Sequence, residues 1–145
     1  MTLLQENVHV YAKVVADLLH PGHIRFFKKA REIGTYLTVC VVPDERVLSY
    51  KGRKPVFNLE ERVEMVAACR WVDDVIIDGP KVITRAFMDA RGFDVYAFGA
   101  SDASELAIKL KDCADLPESM RVAIPYTPDI SSSAIYKRIK EPGDS

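Results

Sequence analysis

Cysteine is scarce in this sequence of 145 residues: there are only three, Cys40, Cys69 and Cys113, and no two of them are close together. This scarcity argues against a disulfide framework and against a thiolate metal site, so we expect reduced, buried thiols in a cytoplasmic protein. The sequence also lacks any run of about 18 apolar residues, which a membrane-spanning helix needs. Residues 1–6 show no basic region followed by an apolar stretch, so neither export nor membrane insertion is predicted.

Net charge is nearly absent as well, since 20 Lys and Arg residues balance 21 Asp and Glu residues. A balanced chain has no overall field that would attract nucleic acid or an anionic membrane, so neither is an expected partner and any anion must bind at a local site. The hydrophobic content of 48% is sufficient for one core. We therefore expect one domain over residues 1–140 and a flexible tail over residues 141–145.

Strand-like and helix-like segments alternate along the chain. Short apolar, β-branched runs predict strands at residues 8–15, 36–42, 75–77, 95–98 and 122–124. Helical spacing of apolar residues predicts helices at residues 23–33, from Asn58 onward with Glu61 completing a capping box, and at 82–90, 103–111 and 132–140. The polar segment 43–55 is predicted to be a loop. This alternation predicts an α/β protein, a Rossmann-like three-layer α/β/α domain with a five-stranded parallel sheet.

Two histidines flank Pro21-Gly22 at the turn between the first predicted strand and the first predicted helix. In parallel sheets of this kind, ligands bind beyond the carboxyl ends of the strands, and a helix N-terminus attracts phosphate. His20 and His23 can donate hydrogen bonds to phosphoryl oxygens as negative charge grows in a transition state. The alternative is that one histidine caps the helix and the other is a surface residue. Asp17 is the one further ligand nearby, so no zinc site, and no other metal site, is predicted.

Two more segments that follow predicted strands carry phosphate-binding chemistry. The hydroxyls of residues 131–133 precede the last helix and predict a second anion site, although an ordinary serine N-cap is the alternative. Lys51, Arg53 and Lys54 follow the second strand and are able to close over a phosphate chain, whereas a solvated basic segment is the alternative. Arg62, on the next helix, is expected to reach the same site.

Four motifs occur in one order over nearly the whole chain: ADLLHPGHI at residues 16–24, SYKG at 49–52, RWVDDV at 70–75, and PYT at 125–127 followed by ISSS at 130–133. Together they resemble the cytidylyltransferase family that carries the HxGH signature. The resemblance implies attack by an acceptor oxygen on the α-phosphorus of CTP, with Mg²⁺ as cofactor and pyrophosphate as the leaving group. It also implies a homodimer.

The resemblance implies a role for each matching residue. His20, His23 and Lys51 are expected to be catalytic, and Lys13 and Lys54 are expected to bind the acceptor. The expected nucleotide-binding residues are Val15, Ala16, Asp17, Gly22, Arg62, Arg70, Asp73, Phe98, Gly99, Tyr126, Thr127, Ile130, Ser131, Ser132 and Ser133.

The chain departs from the family pattern at Val14 and Ala16, where many members have Gly and Phe, and at Tyr126, where many have Arg. Ala100 and Ser101 stand where relatives often carry acidic residues. This combination resembles the subgroup of phosphonate pathways, so the leading hypothesis is transfer of CMP to a small phosphonate such as phosphonoformate or hydroxyethylphosphonate. Three alternatives stay open: a phosphomonoester acceptor of the glycerol, choline or ethanolamine phosphate type, an ATP-dependent adenylyltransferase, and a nucleotide-binding module without catalysis.

Overall fold

The computed structural model describes residues 7–125 and 131–141, apart from the side chains of Tyr50 and Ser132. Within these ranges the strands are His9–Val14 (β1), Tyr36–Val41 (β2), Asp74–Ile76 (β3), Val95–Ala100 (β4) and Arg121–Pro125 (β5). The helices are Pro21–Ile33 (α1), Asp44–Lys51 (α2), Leu59–Ala67 (α3), Arg85–Arg91 (α4), Ala103–Asp112 (α5) and Ser132–Lys140 (α6), with a 3₁₀ turn at Glu118–Met120.

The strands form one parallel sheet in the order β3-β2-β1-β4-β5, which confirms the predicted Rossmann-like architecture. The order of the strands reverses between β1 and β4, so the crevice for a ligand lies beyond the carboxyl ends of these two strands. The turn that contains His20 and His23 follows β1 directly and therefore lies at this crevice.

Both faces of the sheet are covered, and each has its own apolar cluster. Val10 and Ala12 of β1 face one side, where Phe27 of α1 and Val66 of α3 are fully buried with them. Tyr11 faces the other side and packs with Met88 of α4, among others. Alternate residues of the same strand are buried on opposite faces because each face is covered by helices. The free thiols of Cys40 and Cys113 are buried on the second side.

The segment predicted as a loop over residues 43–55 contains a helix instead. Helix α2 starts after Pro43 and has two acidic residues, Asp44 and Glu45, in its first turn, where they interact favourably with the helix dipole. It ends at Gly52, which adopts the left-handed conformation with a φ of 72°. Val47 is only 1% exposed and anchors the helix to the domain. Lys51 is thus the last residue of a helix.

The other boundaries differ from the prediction by a few residues. Helix α1 begins at Pro21, before the predicted start at residue 23. Helix α4 starts only after Thr84, whose hydroxyl accepts a hydrogen bond from the backbone N–H of Phe87. The capping box of Asn58 and Glu61 is confirmed. None of the helices in the described ranges has the length and apolar character needed to cross a bilayer.

Candidate active site

The turn between β1 and α1 is conformationally strained. Ala16 and Leu18 have φ values of 57° and 50°, in a region that residues with a Cβ seldom adopt. Ala16 is almost completely buried, so the turn is held by its packing. Strained backbone of this kind clusters at functional sites, where the surrounding structure imposes it. Here it brings the chain from the end of β1 to the first turn of α1.

The two histidines cap α1 reciprocally. Nδ1 of His20 accepts a hydrogen bond from the backbone N–H of Gly22 at 3.0 Å, and Nδ1 of His23 accepts one from the backbone N–H of His20 at 3.2 Å. The ring centroids lie 4.0 Å apart. The amide of Gly22 is therefore already engaged by the His20 ring, and the predicted nucleotide-binding role of Gly22 stays a prediction. The alternative of one capping and one surface histidine is thus correct only for the cap, because both histidines take part in it and neither is exposed. The cap does not exclude catalysis.

These caps define the protonation state of both rings. A ring nitrogen that accepts a hydrogen bond carries no proton, so both histidines are neutral with the proton on Nε2. Burial lowers the pKa of His20. Burial also lowers the pKa of His23 to about 4, and the proximity of His20 and Lys51 contributes to this shift. Each Nε2–H remains outside the cap as a donor, polarised by the helix amide that donates to the other nitrogen of the ring.

Lys51 is near these imidazoles. Its charge is among the causes of the lowered pKa of His23, so its ammonium group lies within electrostatic range of that ring. The pKa of Lys51 itself is lowered by partial desolvation and by repulsion from Arg53. A cation of lowered pKa gains stability when an anion binds beside it. The structure therefore brings together the three residues predicted to be catalytic, although their catalytic role stays a prediction.

The second predicted anion site is described in part. The hydroxyl of Ser131 accepts a hydrogen bond from the backbone N–H of Ala134 at 3.0 Å and caps α6, so the N-cap alternative is confirmed for this serine. Ser133 is exposed in the first turn of α6, and Ser132 begins that helix. The other predicted residues of this site, Tyr126, Thr127 and Ile130, lie outside the described residues.

Asp17 has a structural role, and its predicted nucleotide contact stays a prediction. Its carboxylate accepts hydrogen bonds from the backbone N–H groups of Val56 at 2.9 Å and Phe57 at 3.1 Å, and from the hydroxyl of Tyr136 at 2.7 Å. Burial alone would raise the pKa of Asp17, but these hydrogen bonds outweigh it and lower the pKa. Asp17 thus fastens the segment before α3, and helix α6, to the turn that carries the histidines.

Arg62 also has a structural role, and its predicted nucleotide contact stays a prediction. Its side chain is fully buried. It donates hydrogen bonds to the carbonyl oxygens of Val15 and Val42, both at 2.8 Å, and to that of Phe57 at 3.0 Å, and it forms an ion pair with Asp44. The carbonyl oxygen of Val15, a predicted site residue, therefore accepts a hydrogen bond from the guanidinium of Arg62. Arg62 joins the ends of β1 and β2 beneath the candidate site.

Arg70 and Asp73 are not at this site. Asp73 accepts hydrogen bonds from the backbone N–H of Leu37 at 2.8 Å and from Arg31 at 2.9 Å, near the amino end of β2. Leu37 precedes the last residue of β2 by four positions, which is about 13 Å at 3.3 Å per residue. Arg70 is exposed near Trp71. Arg70 and Asp73, which were predicted to bind nucleotide, therefore do not join the histidine turn, because residues that precede β3 lie at the opposite edge of the parallel sheet.

Phe98 and Gly99 lie inside β4, which extends two residues beyond its predicted end at residue 98. The strand continues to Ala100, and Gly99 is paired in register with Ile124. The ring of Phe98 is only 2% exposed and stacks on Tyr96 in the second apolar cluster. The ring of Phe98, which was predicted to bind nucleotide, thus belongs to the apolar core, while a nucleotide contact of Gly99 stays a prediction.

The two predicted acceptor-binding lysines differ in their surroundings. Lys54 is exposed. Lys13 is half-buried, and its ammonium donates hydrogen bonds to the carbonyl oxygens of Lys81 at 2.9 Å and Pro80 at 3.4 Å. Arg46 of α2 donates to the adjacent carbonyl of Gly79 at 2.9 Å. The sequence reasoning missed both Arg46 and Tyr136. For Arg46 a signal existed, since recognising α2 would have placed it on a helix beside β2.

The described part of the chain offers no cluster of three or more His, Cys, Asp or Glu side chains suited to a metal ion. Mg²⁺ often keeps several waters and is held mainly by the phosphates of a nucleotide. The described residues therefore fit a Mg²⁺ ion that is held by the phosphates of the substrate, and they form no dedicated metal site of their own.

The site combines a Rossmann-like sheet, two neutral imidazole donors at a helix N-terminus and a nearby lysine. These groups are suited to an enzyme that transfers a phosphoryl or nucleotidyl group. Residues 15–138 match the family described as cytidylyltransferase-like, and the chain belongs to that family. FAD synthase of Pyrococcus abyssi is 38% identical over 139 residues, covering 93% of this chain and 94% of that protein. The relatives are nucleotidyltransferases, and so is this protein.

Two further comparisons agree with this assignment. Ethanolamine-phosphate cytidylyltransferase of Arabidopsis thaliana is 45% identical over 92 residues, which cover 63% of this chain but only 21% of that larger protein. Among solved structures, the lipopolysaccharide core biosynthesis protein of Thermoplasma volcanium superposes with a TM-score of 0.63 at 25% identity, covering 83% of this chain and 98% of that one. The fold and the family are therefore established independently of the detailed site.

Proposed function

We propose that this nucleotidyltransferase transfers CMP from CTP to a small phosphonate. The observation that supports the transfer chemistry is the reciprocal cap of His20 and His23, which leaves two Nε2–H donors beside Lys51 at the start of α1. Such preorganised donors act where charge develops in a transition state.

In the proposed reaction, an oxygen of the acceptor's phosphonate attacks the α-phosphorus of CTP and forms a new P–O bond. The bond between the α-phosphorus and the oxygen that bridges to the β-phosphate breaks, and the electron pair leaves with pyrophosphate. His20 and His23 donate to oxygens on the α-phosphorus, and Lys51 neutralises charge on the phosphate chain. The reaction needs positioning and electrostatic stabilisation and no covalent intermediate on the protein.

We propose that Mg²⁺ enters with CTP, held by oxygens of the triphosphate and by water. When bound, it neutralises phosphate charge and favours departure of pyrophosphate. The exposed first turn of α6, with Ser131 as its N-cap, is the proposed contact for the distal phosphates.

Two observations support the choice of substrates. The choice of CTP draws on the match to the cytidylyltransferase-like family and on the similarity to ethanolamine-phosphate cytidylyltransferase. The choice of a phosphonate draws on the motif pattern with Val14, Ala16 and Tyr126, and on the half-buried cation Lys13 at the carboxyl end of β1.

A second candidate function is transfer of AMP from ATP to FMN. It is favoured by the FAD synthases of Pyrococcus abyssi and Thermococcus sibiricus, which align with this chain over 94% and 95% of their own lengths. The two candidates share the same transfer step and differ in both base and acceptor.

Pyrophosphate release and product mass test the proposal. CTP and ATP are each combined with Mg²⁺ and with hydroxyethylphosphonate, phosphonoformate, ethanolamine phosphate or FMN. We expect a CMP–phosphonate adduct with CTP. Formation of FAD from ATP and FMN, without any CMP adduct, would establish the second candidate. Binding of CTP without pyrophosphate release with any acceptor would identify a non-catalytic nucleotide-binding module.

We also propose that the protein is a homodimer, as its resemblance to the family implies. Sedimentation equilibrium tests this: a mass of twice 16.3 kDa is expected, and a monomer at micromolar concentration would contradict it.

A further inference from the structure

Lys13 is an unusual residue for its position. It lies on β1, the central strand of the sheet, next to Cys40 of β2 in register, and its neighbour on the same face, Tyr11, is fully buried. Strands in the middle of a parallel sheet are normally apolar on both faces, and a charge there costs desolvation energy. Burial accordingly lowers the pKa of Lys13 to about 8. A cation kept in such a position is a candidate for function.

The ammonium of Lys13 is satisfied only in part. Two carbonyl oxygens, of Pro80 and Lys81, accept its hydrogen bonds, but an ammonium group has three N–H donors. Within residues 7–125 and 131–141, no carboxylate lies within 4.0 Å of it. Asp112 of α5 attracts it from a longer distance, whereas Lys109 and Arg46 repel it. The local environment therefore holds excess positive charge.

Arg46 places a second positive charge beside the backbone segment 79–81 that Lys13 contacts. Its guanidinium donates to the carbonyl oxygen of Gly79 and, within the described ranges, it too has no carboxylate partner within 4.0 Å. Gly79 packs closely against Tyr11 and Cys40, since a Cβ at this position would lie 2.7 Å from the Cys40 sulfur. Lys13 and Arg46 thus donate to neighbouring carbonyl groups of one backbone segment, residues 79–81.

This pair of cations lies at the same edge of the sheet as the candidate active site. Lys13 precedes the last residue of β1 by one position, and β1 leads directly to the turn with His20. Lys109 of α5 lowers the pKa of both Lys13 and Lys51, so it lies in electrostatic range of each. Lys51 in turn acts on His23. Because the ligand crevice lies beyond the carboxyl end of β1, where Lys13 is located, an acceptor that attacks beside the histidines can extend toward Lys13.

We propose that the acceptor carries a second anionic group, such as a carboxylate, in addition to the phosphonate whose oxygen attacks, and that Lys13 and Arg46 bind this group. This inference rests on the proposed function and narrows its substrate class. It predicts that acceptors with a carboxylate are preferred over neutral ones, and that acceptors with an ammonium group at the same end are rejected.

The test compares phosphonoacetate, 2-hydroxyethylphosphonate and 2-aminoethylphosphonate, which differ mainly in the charge of the distal group. Their dissociation constants are measured by calorimetry with Mg²⁺ and a CTP analogue whose α,β bridge cannot be cleaved. We expect phosphonoacetate to bind at least about tenfold more tightly than the ammonium compound, as one charge-assisted hydrogen bond implies. Equal binding of all three would overturn the inference.

The Lys13→Met variant locates the effect. We expect it to weaken phosphonoacetate binding about tenfold or more, and hydroxyethylphosphonate binding less than about threefold, as expected when one charge-assisted hydrogen bond is lost. Lys29→Met, at an exposed position of α1, is the matched control and should change neither. Lys13→Gln, which keeps an N–H donor, serves if the methionine variant does not fold. Equal weakening of both acceptors would contradict the proposed ligand.

The experiments distinguish failure of the proposed CMP transfer from failure of the proposed anion site. Because binding is measured without turnover, a charge-dependent affinity that vanishes in Lys13→Met supports the anion site whether or not pyrophosphate is released with CTP. Absence of pyrophosphate release with any acceptor would contradict the transfer reaction, and charge-independent binding with normal release would contradict only the second anionic group.

Discussion

The hydroxyl of Tyr136 donates a hydrogen bond of 2.7 Å to the carboxylate of Asp17, and so connects the last helix to the turn after the first strand. The guanidinium of Arg53 lies over the ring of the same tyrosine, with its central carbon 3.8 Å from the centre of the Tyr136 ring. Two segments predicted to contact phosphate, the start of α6 and the residues after Lys51, are thus joined to the turn with the histidines.

Replacement of Tyr136 by Phe tests this connection, because it removes the hydroxyl and keeps the ring that Arg53 contacts. We expect the free energy of unfolding to fall by about 1–2 kcal/mol, since the buried carboxylate loses one of its donors. We also expect the KM for CTP to rise about threefold to tenfold with a smaller change in kcat, because the phosphate-binding segments are less well fixed. Urea unfolding and initial rates measure the two effects.

Tyr36→Phe is the control, since Tyr36 is a 41% exposed tyrosine at the amino end of β2. A Tyr136→Phe variant as stable and as active as this control would show that the contact with Asp17 has no energetic role.

Arg62→Met is expected to destabilise the protein strongly. The change leaves the ion-pair partner Asp44 and three carbonyl oxygens without their buried donor. Removal of one member of a buried ion pair costs about 3–5 kcal/mol. Thermal and urea unfolding measure the loss, with exposed Arg25→Met as the control. If Arg62→Met unfolded like the control and lost only CTP affinity, Arg62 would bind nucleotide after all.

The stability of the protein should depend on the protonation of His23. Its pKa is about 4 in the folded protein and close to 6.5 when unfolded, so the unfolded chain binds the additional proton between these values. The contribution of neutral His23 to the free energy of unfolding is therefore fully present above pH 6.5. It is lost as the pH falls toward 4, and the loss is about 1–3 kcal/mol. Urea unfolding at pH 7 and pH 5 measures the change.

His23→Gln is the matched variant for this prediction. Glutamine at this helix position can accept the hydrogen bond from the N–H of His20, as in an ordinary capping box, but it does not titrate. We expect its stability at pH 7 to be near that of the wild type and its loss between pH 7 and pH 5 to be smaller. The same loss in both proteins would mean that other groups cause the pH dependence.

Lys51→Met is expected to reduce turnover more than binding. Removal of one cation that faces charge developing in the transition state lowers kcat by about 10²–10³ when the donor is preorganised. Lys29→Met is again the exposed control. Steady-state pyrophosphate release and equilibrium CTP binding separate the two effects. A raised KM with unchanged kcat would restrict Lys51 to substrate binding.

The fold was predictable because hydrophobic periodicity alone determines the order of strands and helices. Helix α2 was missed even though its signals are local: Pro43 before the first turn, Asp44 and Glu45 within it, and Gly52 at its end. The polarity of the segment was given more weight than these capping residues. Among the side chains of α2 that the structure describes, Val47 is the buried apolar one.

The part of the site that lies within one turn was predictable from the sequence. The parts that depend on contacts between distant segments were not. The histidine turn follows from the order of strand and helix. The burial of Arg62 depends on carbonyl groups of Val15 and Val42, which are distant in sequence, as well as on that of Phe57, and no local pattern reveals the two distant contacts. Arg70 and Asp73 were misplaced because the motif match was followed, although residues before β3 must lie at the amino edge of a parallel sheet.

The most direct test of the account compares turnover with CTP affinity in the wild type and in His23→Gln. If the neutral imidazole acts on the transition state, the variant should release pyrophosphate at least about 100-fold more slowly with CTP and a phosphonate, while its dissociation constant for CTP changes less than about threefold. Unchanged turnover, or an equal loss of turnover and affinity, would contradict a transition-state role for the histidine pair.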